Sequence, residues 1–187
     1  MTATRNVQRT EVPAVGSWEI DPAHSDLAIT ARHLMVTKVR GTFADISGTI
    51  EVAEDPAESS VRVVAKAASV TTGATDRDNH LRSPDFLDAD RYPEVTFQST
   101  DLERDGEKWA LTGDLTIRGV TKPVTFELRF EGSAEDPFGN IKSAFTATGE
   151  IDREQWGLTW NVPLEGGGVL VSRKLSVEFD VQATLTS

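Results

Sequence analysis

The stretch VTFELRFE at residues 124–131 alternates apolar and polar side chains without interruption. Valine, phenylalanine and leucine occupy one parity, and threonine, glutamate and arginine occupy the other. A period of two predicts a half-buried β-strand, because successive side chains of a strand point to opposite faces of the sheet. The stretch therefore predicts an antiparallel sheet whose single apolar face must be covered.

The same alternation recurs on both sides of this strand. It is found over residues 26–33, 42–52, 61–67, 95–99, 109–117, 141–151 and 175–185. Turn signals such as Asp105-Gly106 and Arg118-Gly119 separate neighbouring segments. About eight strands with short connections and almost no helix predict an all-β fold, either a closed antiparallel barrel or a two-sheet sandwich.

The small residues at the predicted interior positions favour a hollow barrel. These positions are Ala31, Gly48, Ala65, Ala67, Ser99, Gly113, Ser143, Ala147 and Gly149. They are too small to fill the interior of a barrel of about eight strands, so the phenylalanines on the same faces would line a cavity. The alternative is that large and small residues interdigitate across the barrel and leave no void.

The composition excludes several classes of partner. A formal net charge of -11 argues against nucleic acid and against anionic lipid surfaces, because both require clustered Lys and Arg. No window approaches the roughly 18 to 20 consecutive apolar residues of a transmembrane segment. The first 18 residues also lack the apolar core of a secretory signal, so we expect a cytoplasmic protein.

The residues that usually carry metal sites or catalysis are sparse. The chain has no cysteine and three histidines, His24, His33 and His80, and their spacing offers no pair of metal ligands on one element. No Gly-x-Ser-x-Gly motif marks a nucleophile. We therefore expect no metal, no cofactor and no catalytic residue.

Two segments depart from the strand pattern. Residues 1–15 lack periodicity and predict a flexible N-terminal arm, which leaves residues 16–187 as a single domain. Residues 76–93 are dense in Asp and Arg around the apolar pair Phe86 and Leu87, and they predict a short helical segment near residues 76–88. Such a polar connection is either a solvated loop or the rim of a binding site.

The chain resembles the YceI-like family, which is also described as polyisoprenoid-binding and lipocalin-like. The resemblance runs from about Trp18 to the C-terminus, and the segment at residues 77–87 is its most specific part. It is also carried by His24-Ser25 and His33-Leu34, Gly41-Thr42-Phe43 with Gly48-Thr49, Tyr92-Pro93 with Phe97, and residues 113–124. It implies an extended lipocalin-like barrel that holds an isoprenoid lipid, such as a polyprenyl phosphate or an isoprenoid quinone. It also implies that residues 80–87 lie at the mouth of the barrel or close one end.

This interpretation predicts two groups of site residues. The cavity is predicted to be lined by Leu27, Ile29, His33, Phe43, Phe86, Leu87, Phe97, Leu115, Ile117, Phe126, Phe130, Phe145, Trp156 and Phe179. The candidates for binding the headgroup of the ligand are Arg40, Arg77, His80 and Arg82, because guanidinium and imidazole groups donate hydrogen bonds to anionic or carbonyl oxygens.

The predicted function is binding, storage or transport of an isoprenoid-type lipid without a reaction. One alternative is an enzyme that acts on a lipid or a small acyl substrate in the same cavity, with His33 and His80 as the acid and base. Another is a β-scaffold that recruits a protein partner, which would have a cavity too small for a ligand. A homodimer through an outer strand face is also compatible with such a barrel.

Overall fold

The computed structural model describes residues 3–7 and 9–187. The strands are β1 (Thr4–Val7), β2 (Thr10–Pro13), β3 (Gly16–Ile20), β4 (Asp26–His33), β5 (Thr37–Phe43), β6 (Ile46–Val52), β7 (Ser60–Lys66), β8 (Val70–Thr71), β9 (Glu94–Asp105), β10 (Lys108–Ile117), β11 (Val120–Glu135), β12 (Ile141–Asp152) and β13 (Lys174–Leu185). The helix α1 spans Thr75–Arg82. Short 3-10 turns lie at Pro22–His24, Pro56–Glu58, Ala67–Ser69 and Arg153–Trp156.

These strands form a closed antiparallel barrel of eight long walls, which confirms the predicted fold class. Three walls are interrupted near their middle, so that β3 continues into β4, β5 into β6, and β7 into β8. Each wall pairs with its neighbour along the chain. The last strand, β13, pairs with β12, with β3 through residues 183–185 and with β4 through residues 176–180, and this closes the ring.

The two ends of the barrel carry different elements. One end, called the helix end, carries α1, the β4–β5 turn at residues 34–36 and the loop at residues 153–173. The other end, called the hairpin end, carries the β1–β2 hairpin and the β9–β10 turn at residues 106–107. Within each regular stretch of strand, alternate side chains face the interior, because successive side chains of a strand point to opposite faces of the sheet.

The strand that opened the sequence analysis shows this arrangement. Phe126 and Leu128 of β11 face the interior, and they lie opposite Leu111 and Trp109 of β10. Glu127 has the opposite parity and accepts a hydrogen bond from Lys108 Nζ at 2.8 Å on the outer face. The apolar face is thus removed from water, which contributes roughly 1.5–3 kcal/mol for each large side chain that is fully buried.

Two glycines on the inner face explain why the aromatic rings do not fill the barrel. A Cβ atom on Gly113 would lie 2.5 Å from a ring atom of Phe97, and one on Gly149 would lie 2.6 Å from a ring atom of Phe126. The two rings therefore lie directly over glycine backbone, with their centroids 5.6 Å apart. Because the rings lie close to the wall, the interior between the walls stays open.

The N-terminal segment differs from the flexible arm that the sequence predicts. Residues 4–7 and 10–13 form an antiparallel hairpin against the barrel, while residues 1, 2 and 8 lie outside the described residues. Val12 is buried, and the Arg5 guanidinium donates hydrogen bonds to the carbonyls of Ala53 and Glu54. Strands of four residues are too short to show a periodicity, so the sequence pattern does not predict this hairpin. Its contacts with the barrel join segments about 50 residues apart in sequence. The domain boundary at residue 16 stays a prediction.

The helical segment is shorter than the sequence predicts. α1 ends at Arg82, and residues 83–91 form turns in which the Phe86 N–H donates to the Ser83 carbonyl at 3.0 Å. Ser83 ends α1, although a Ser-Pro pair more often begins a helix. In the part of the chain that the structure describes, no helix is long and apolar enough to cross a bilayer.

Trp18 tests how far the barrel depends on its buried side chains. It is 1% exposed, and its indole N–H donates to the Ala14 carbonyl at 3.2 Å. We expect Trp18→Ala to lower the free energy of unfolding by about 3–5 kcal/mol, because it leaves a large cavity in a packed site. Urea denaturation measures this loss. Phe138→Ala is the control, because Phe138 is 90% exposed and its replacement should change stability by about 0.5 kcal/mol or less. Equal losses in the two variants would contradict the packing described here.

Candidate functional site

The interior of the barrel holds a cavity of about 620 Å³. This volume lies within the range of roughly 300–1,000 Å³ that is usual for small-molecule sites. The cavity lining includes twelve of the predicted cavity residues: Leu27, Ile29, His33, Phe43, Phe86, Leu87, Phe97, Leu115, Ile117, Phe126, Phe145 and Phe179. The alternating pattern of the strands places ten of these side chains around one common space, and the turns at residues 83–91 add Phe86 and Leu87.

Two predicted cavity residues lie elsewhere. Phe130 lines a second pocket of about 70 Å³ at the hairpin end, together with Val12 and Pro13. It has the inward parity, but it lies beyond the end of the main cavity and packs against Phe145 at a centroid distance of 5.6 Å. Trp156 is buried in a 3-10 turn, where its indole N–H donates to the Leu115 carbonyl at 2.9 Å, and it does not line the main cavity.

Polarity in the cavity is confined to the helix end. The lining near the hairpin end is apolar and includes Ile20, Ile50 and Leu111. The charged and imidazole side chains of the lining are all at the helix end: Arg32, His33, Asp76, Arg77, His80 and Arg153. Of the whole lining, the residues classed as exposed are Arg32, His33, Asp76 and Arg77. The cavity therefore meets solvent at the helix end.

Of the four headgroup candidates, two line the cavity and two do not. Arg77 and His80 line the cavity at its helix end, and their role in binding a headgroup stays a prediction. Arg40 does not, because its neighbours Val39 and Gly41 take the inward positions of β5 and its own side chain pairs with Asp26 on the outer face. The placement of Arg40 at the cavity was therefore wrong.

Arg82 also lies outside the cavity lining. Its guanidinium donates to the carbonyl of Ala68 at 2.7 Å and to that of Val70 at 2.8 Å. These bonds fasten the last turn of α1 to the segment that contains β8, so Arg82 has a structural position. The sequence pattern could not show this, because helical residues have no two-residue parity.

An aromatic cluster covers the helix end of the cavity. The His80 ring packs edge-on against Phe86 and Trp160, with centroid distances of 5.0 and 4.6 Å, and Phe86 and Trp160 are 5.5 Å apart. His80 Nε2 lies 2.9 Å from a carboxylate oxygen of Asp85, which orients the imidazole. Phe86 and Leu87 are both buried, so the apolar pair of the polar stretch turns inward over the cavity.

Arg153 is the most unexpected residue of the lining. It follows β12 directly, and the Asp152 carboxylate accepts the Glu154 N–H at 3.1 Å to begin a 3-10 turn. Phe145, Ala147 and Ile151 of β12 line the cavity, and Arg153 continues their parity. That parity is the sequence signal that could have identified Arg153, while Trp160 lies in an irregular loop that carries no comparable signal.

Asp78 holds α1 in place. Its carboxylate accepts hydrogen bonds from the Thr72 N–H at 2.7 Å, the Thr72 hydroxyl at 2.6 Å and the Thr71 hydroxyl at 3.1 Å. The hydrogen bonds from Thr72 are the main reason why the pKa of Asp78 lies below its ordinary value, although burial opposes the shift. Asp78 thus joins α1 to the end of β8, beside the mouth of the cavity.

The described residues offer no arrangement for a metal. Within residues 3–7 and 9–187, no three His, Cys, Asp or Glu side chains come together in a way that could hold an ion. His24, the histidine outside the cavity lining, pairs with Asp21 at 2.9 Å. The site is a cavity with a polar mouth.

Comparison with known proteins agrees with this geometry. A family model described as YceI-like domain matches residues 18–183. The chain belongs to the YceI-like family. The Escherichia coli protein named Protein YceI is 41% identical over 136 residues, which covers 72% of this chain and 71% of that protein.

Solved structures share the YceI-like barrel. A Campylobacter jejuni YceI protein has a TM-score of 0.69 and 32% identity, over 83% of this chain and 90% of that one. Burkholderia cenocepacia BcnA has a TM-score of 0.76 and 22% identity, over 88% and 99% of the two chains. A domain from Saccharophagus degradans described as polyisoprenoid binding has a TM-score of 0.69 and 16% identity, over 90% and 98%.

Replacement of Asp78 tests its role at the mouth of the cavity. Because folding lowers the pKa of this carboxyl, its charge stabilises the fold above the unfolded-state pKa of about 3.9, and this contribution disappears as the pH falls through the lower folded-state pKa. We expect Asp78→Asn to be about 1–2 kcal/mol less stable near pH 7, because it loses charged hydrogen bonds. The difference from the unmodified protein should shrink below about pH 4.

Thermal unfolding followed by circular dichroism at several pH values measures this difference. Asp114→Asn is the control, because Asp114 is exposed on the outer face of β10. A stability difference for Asp78→Asn that stays constant down to about pH 2 would show that the ionised carboxylate is not the stabilising form.

Proposed function

We propose that this YceI-like protein binds an isoprenoid-type lipid, a polyprenyl phosphate or an isoprenoid quinone, inside its barrel and stores or transports it without catalysis. The observation that carries the proposal is the cavity of about 620 Å³, which is apolar along its length and polar only at the helix end. A ligand with a long apolar tail and one polar head has the same asymmetry. Burial of the tail contributes roughly 25 cal/mol per Å² of apolar surface, so binding needs no covalent step.

The comparisons support an isoprenoid tail among apolar ligands. The Saccharophagus degradans domain, which shares the fold, is described as polyisoprenoid binding. The size of the cavity also disfavours the scaffold alternative, which would require an interior too small for a ligand. A cytoplasmic location and a homodimer stay predictions from the sequence.

The proposal of no catalysis rests on how the two histidines of the cavity are placed. His33 is exposed at the mouth. His80 is oriented by Asp85 and packs edge-on between Phe86 and Trp160, which suits a residue of the aromatic cluster. Neither position requires acid or base chemistry to explain it.

Mass measurement tests the lipid-binding proposal directly. Native mass spectrometry of the purified protein should show a mass larger than the denatured protein mass by that of a lipid. If the purified protein has lost its lipid, an added isoprenoid quinone or polyprenyl phosphate should be taken up in a ratio of one to one. Absence of bound lipid together with no uptake of either probe would overturn the proposal.

Filling the cavity should abolish this uptake. Ala147 lines the cavity from β12, whereas Ala144 lies on the opposite face of the same strand and outside the lining. We expect Ala147→Trp to lower lipid uptake at least about tenfold, because the indole occupies the volume that the tail needs. Ala144→Trp is the matched control and should bind as the unmodified protein does. Equal uptake by two correctly folded variants would place the ligand outside the barrel.

A further inference from the structure

The guanidinium of Arg153 lies inside the cavity although its charge makes burial costly. Three arginines, Arg32, Arg77 and Arg153, belong to the cavity lining. Arg153 is 2% exposed, whereas Arg32 and Arg77 are exposed at the mouth. Burial lowers the pKa of Arg153, but a guanidinium remains protonated near neutral pH. A buried charge destabilises a protein unless hydrogen bonds and an opposite charge compensate it.

Hydrogen bonds to backbone carbonyls compensate Arg153 only in part. Nε donates to the Ser172 carbonyl at 2.9 Å, Nη1 donates to the Leu158 carbonyl, and Nη2 donates to the Val171 carbonyl at 3.4 Å. A guanidinium has five N–H groups, so two remain for another acceptor. None of the three protein acceptors carries a charge.

The carboxylates nearest in sequence are already paired with another arginine. Arg173 approaches Asp152 at 2.6 Å and Glu154 at 3.0 Å. Within the described residues, no carboxylate lies in salt-bridge contact with Arg153. The charge on Arg153 therefore lacks a direct counter-ion from the protein.

The other charged residues of the cavity lining supply few negative charges that could balance Arg153. The charged residues of the lining are three arginines, Arg32, Arg77 and Arg153, and a single aspartate, Asp76. Arginines thus outnumber carboxylates within the lining itself, in a protein whose formal net charge is -11. The Arg153 guanidinium also lies 5.9 Å from the ring centroid of Phe86, beneath the aromatic cluster that covers this end. Exclusion of water by these rings strengthens any charge-assisted hydrogen bond made there.

We propose that Arg153 binds the anionic headgroup, a phosphate or a carboxylate, of the lipid that occupies the barrel. The headgroup would lie beneath Phe86 and Trp160 and accept hydrogen bonds from the guanidinium, and the tail would extend toward the hairpin end. The proposal rests on the lipid-binding function proposed above and adds a selection for anionic over neutral heads. Of the two lipid classes named there, it favours the polyprenyl phosphate.

Three ligands with the same tail test this selection: farnesyl phosphate, farnesoic acid and farnesol. Isothermal titration calorimetry gives their dissociation constants. We expect the unmodified protein to bind at least one of the two anions at least about tenfold more tightly than farnesol, the smallest gain usual for hydrogen bonds to charged groups. Preference for both anions would indicate recognition of charge, and preference for farnesyl phosphate alone would indicate recognition of phosphate.

The variant Arg153→Met tests whether Arg153 causes the preference for the anionic ligands over farnesol. We expect its preference for the anion over farnesol to fall to about twofold or less, because the methionine side chain has no N–H donor. Arg40→Met is the matched control on the outer face, and it should keep the full preference. If Arg153→Met does not fold, because three carbonyls lose their donor, Arg153→Gln keeps amide donors without the charge and should show the same loss.

The outcomes separate this proposal from the proposed function. If no farnesyl compound binds, farnesol included, lipid binding itself is contradicted. If all three bind equally to the unmodified protein, lipid binding stands and the role of Arg153 is overturned. A folded Arg153→Met or Arg153→Gln that retains the preference also overturns it, and Arg153 would then only fasten the loop at residues 158–172.

Discussion

The hydrogen bonds that β13 makes with the β3–β4 wall are the constraint on which the rest of the structure depends. Without them the eight walls would form an open sheet with two long unpaired edges and an apolar face exposed to water. With them the sheet closes, and β13 presents Val177, Phe179 and Val181 to the interior. Closure of the ring therefore creates both the cavity and the core.

The closed ring is hollow because of where its small residues lie. Gly113 and Gly149 let the rings of Phe97 and Phe126 rest against the wall, and Ala65 of β7 and Ala147 of β12 add further small side chains to the lining. A barrel of eight strands with larger side chains at these positions would be filled. The hairpin lies at the other end with Val12 buried, and the exposed residues of the cavity lining are all at the helix end. A ligand with a single polar end fits such a cavity in one orientation.

At the helix end of the cavity, the aromatic cluster and a buried positive charge lie next to each other. Phe86, His80 and Trp160 form the cover, and Arg153 beneath them links the carbonyls of Leu158 and Ser172. The covering aromatic residues thus lie beside the buried guanidinium. A bound anion would give Arg153 a counter-ion in direct contact, since Asp152 and Glu154 form their salt bridges with Arg173.

The sequence alone determined the walls of the barrel, because a half-buried strand imposes a two-residue period that is visible in stretches such as residues 124–131. That same period explains why cavity residues on strands, such as Leu27, Ile29 and Phe126, face one space, whereas Phe86 and Leu87 reach it from turns. It did not place Arg40 or Arg82, which were headgroup candidates because guanidinium groups donate hydrogen bonds, and it did not predict the N-terminal hairpin. Only the tertiary structure decided these positions and brought Arg153 under Phe86, because they depend on contacts between distant segments. The local alternation specifies on which face of the sheet a side chain lies. Closure of the ring and packing of the loops specify which residues it contacts there.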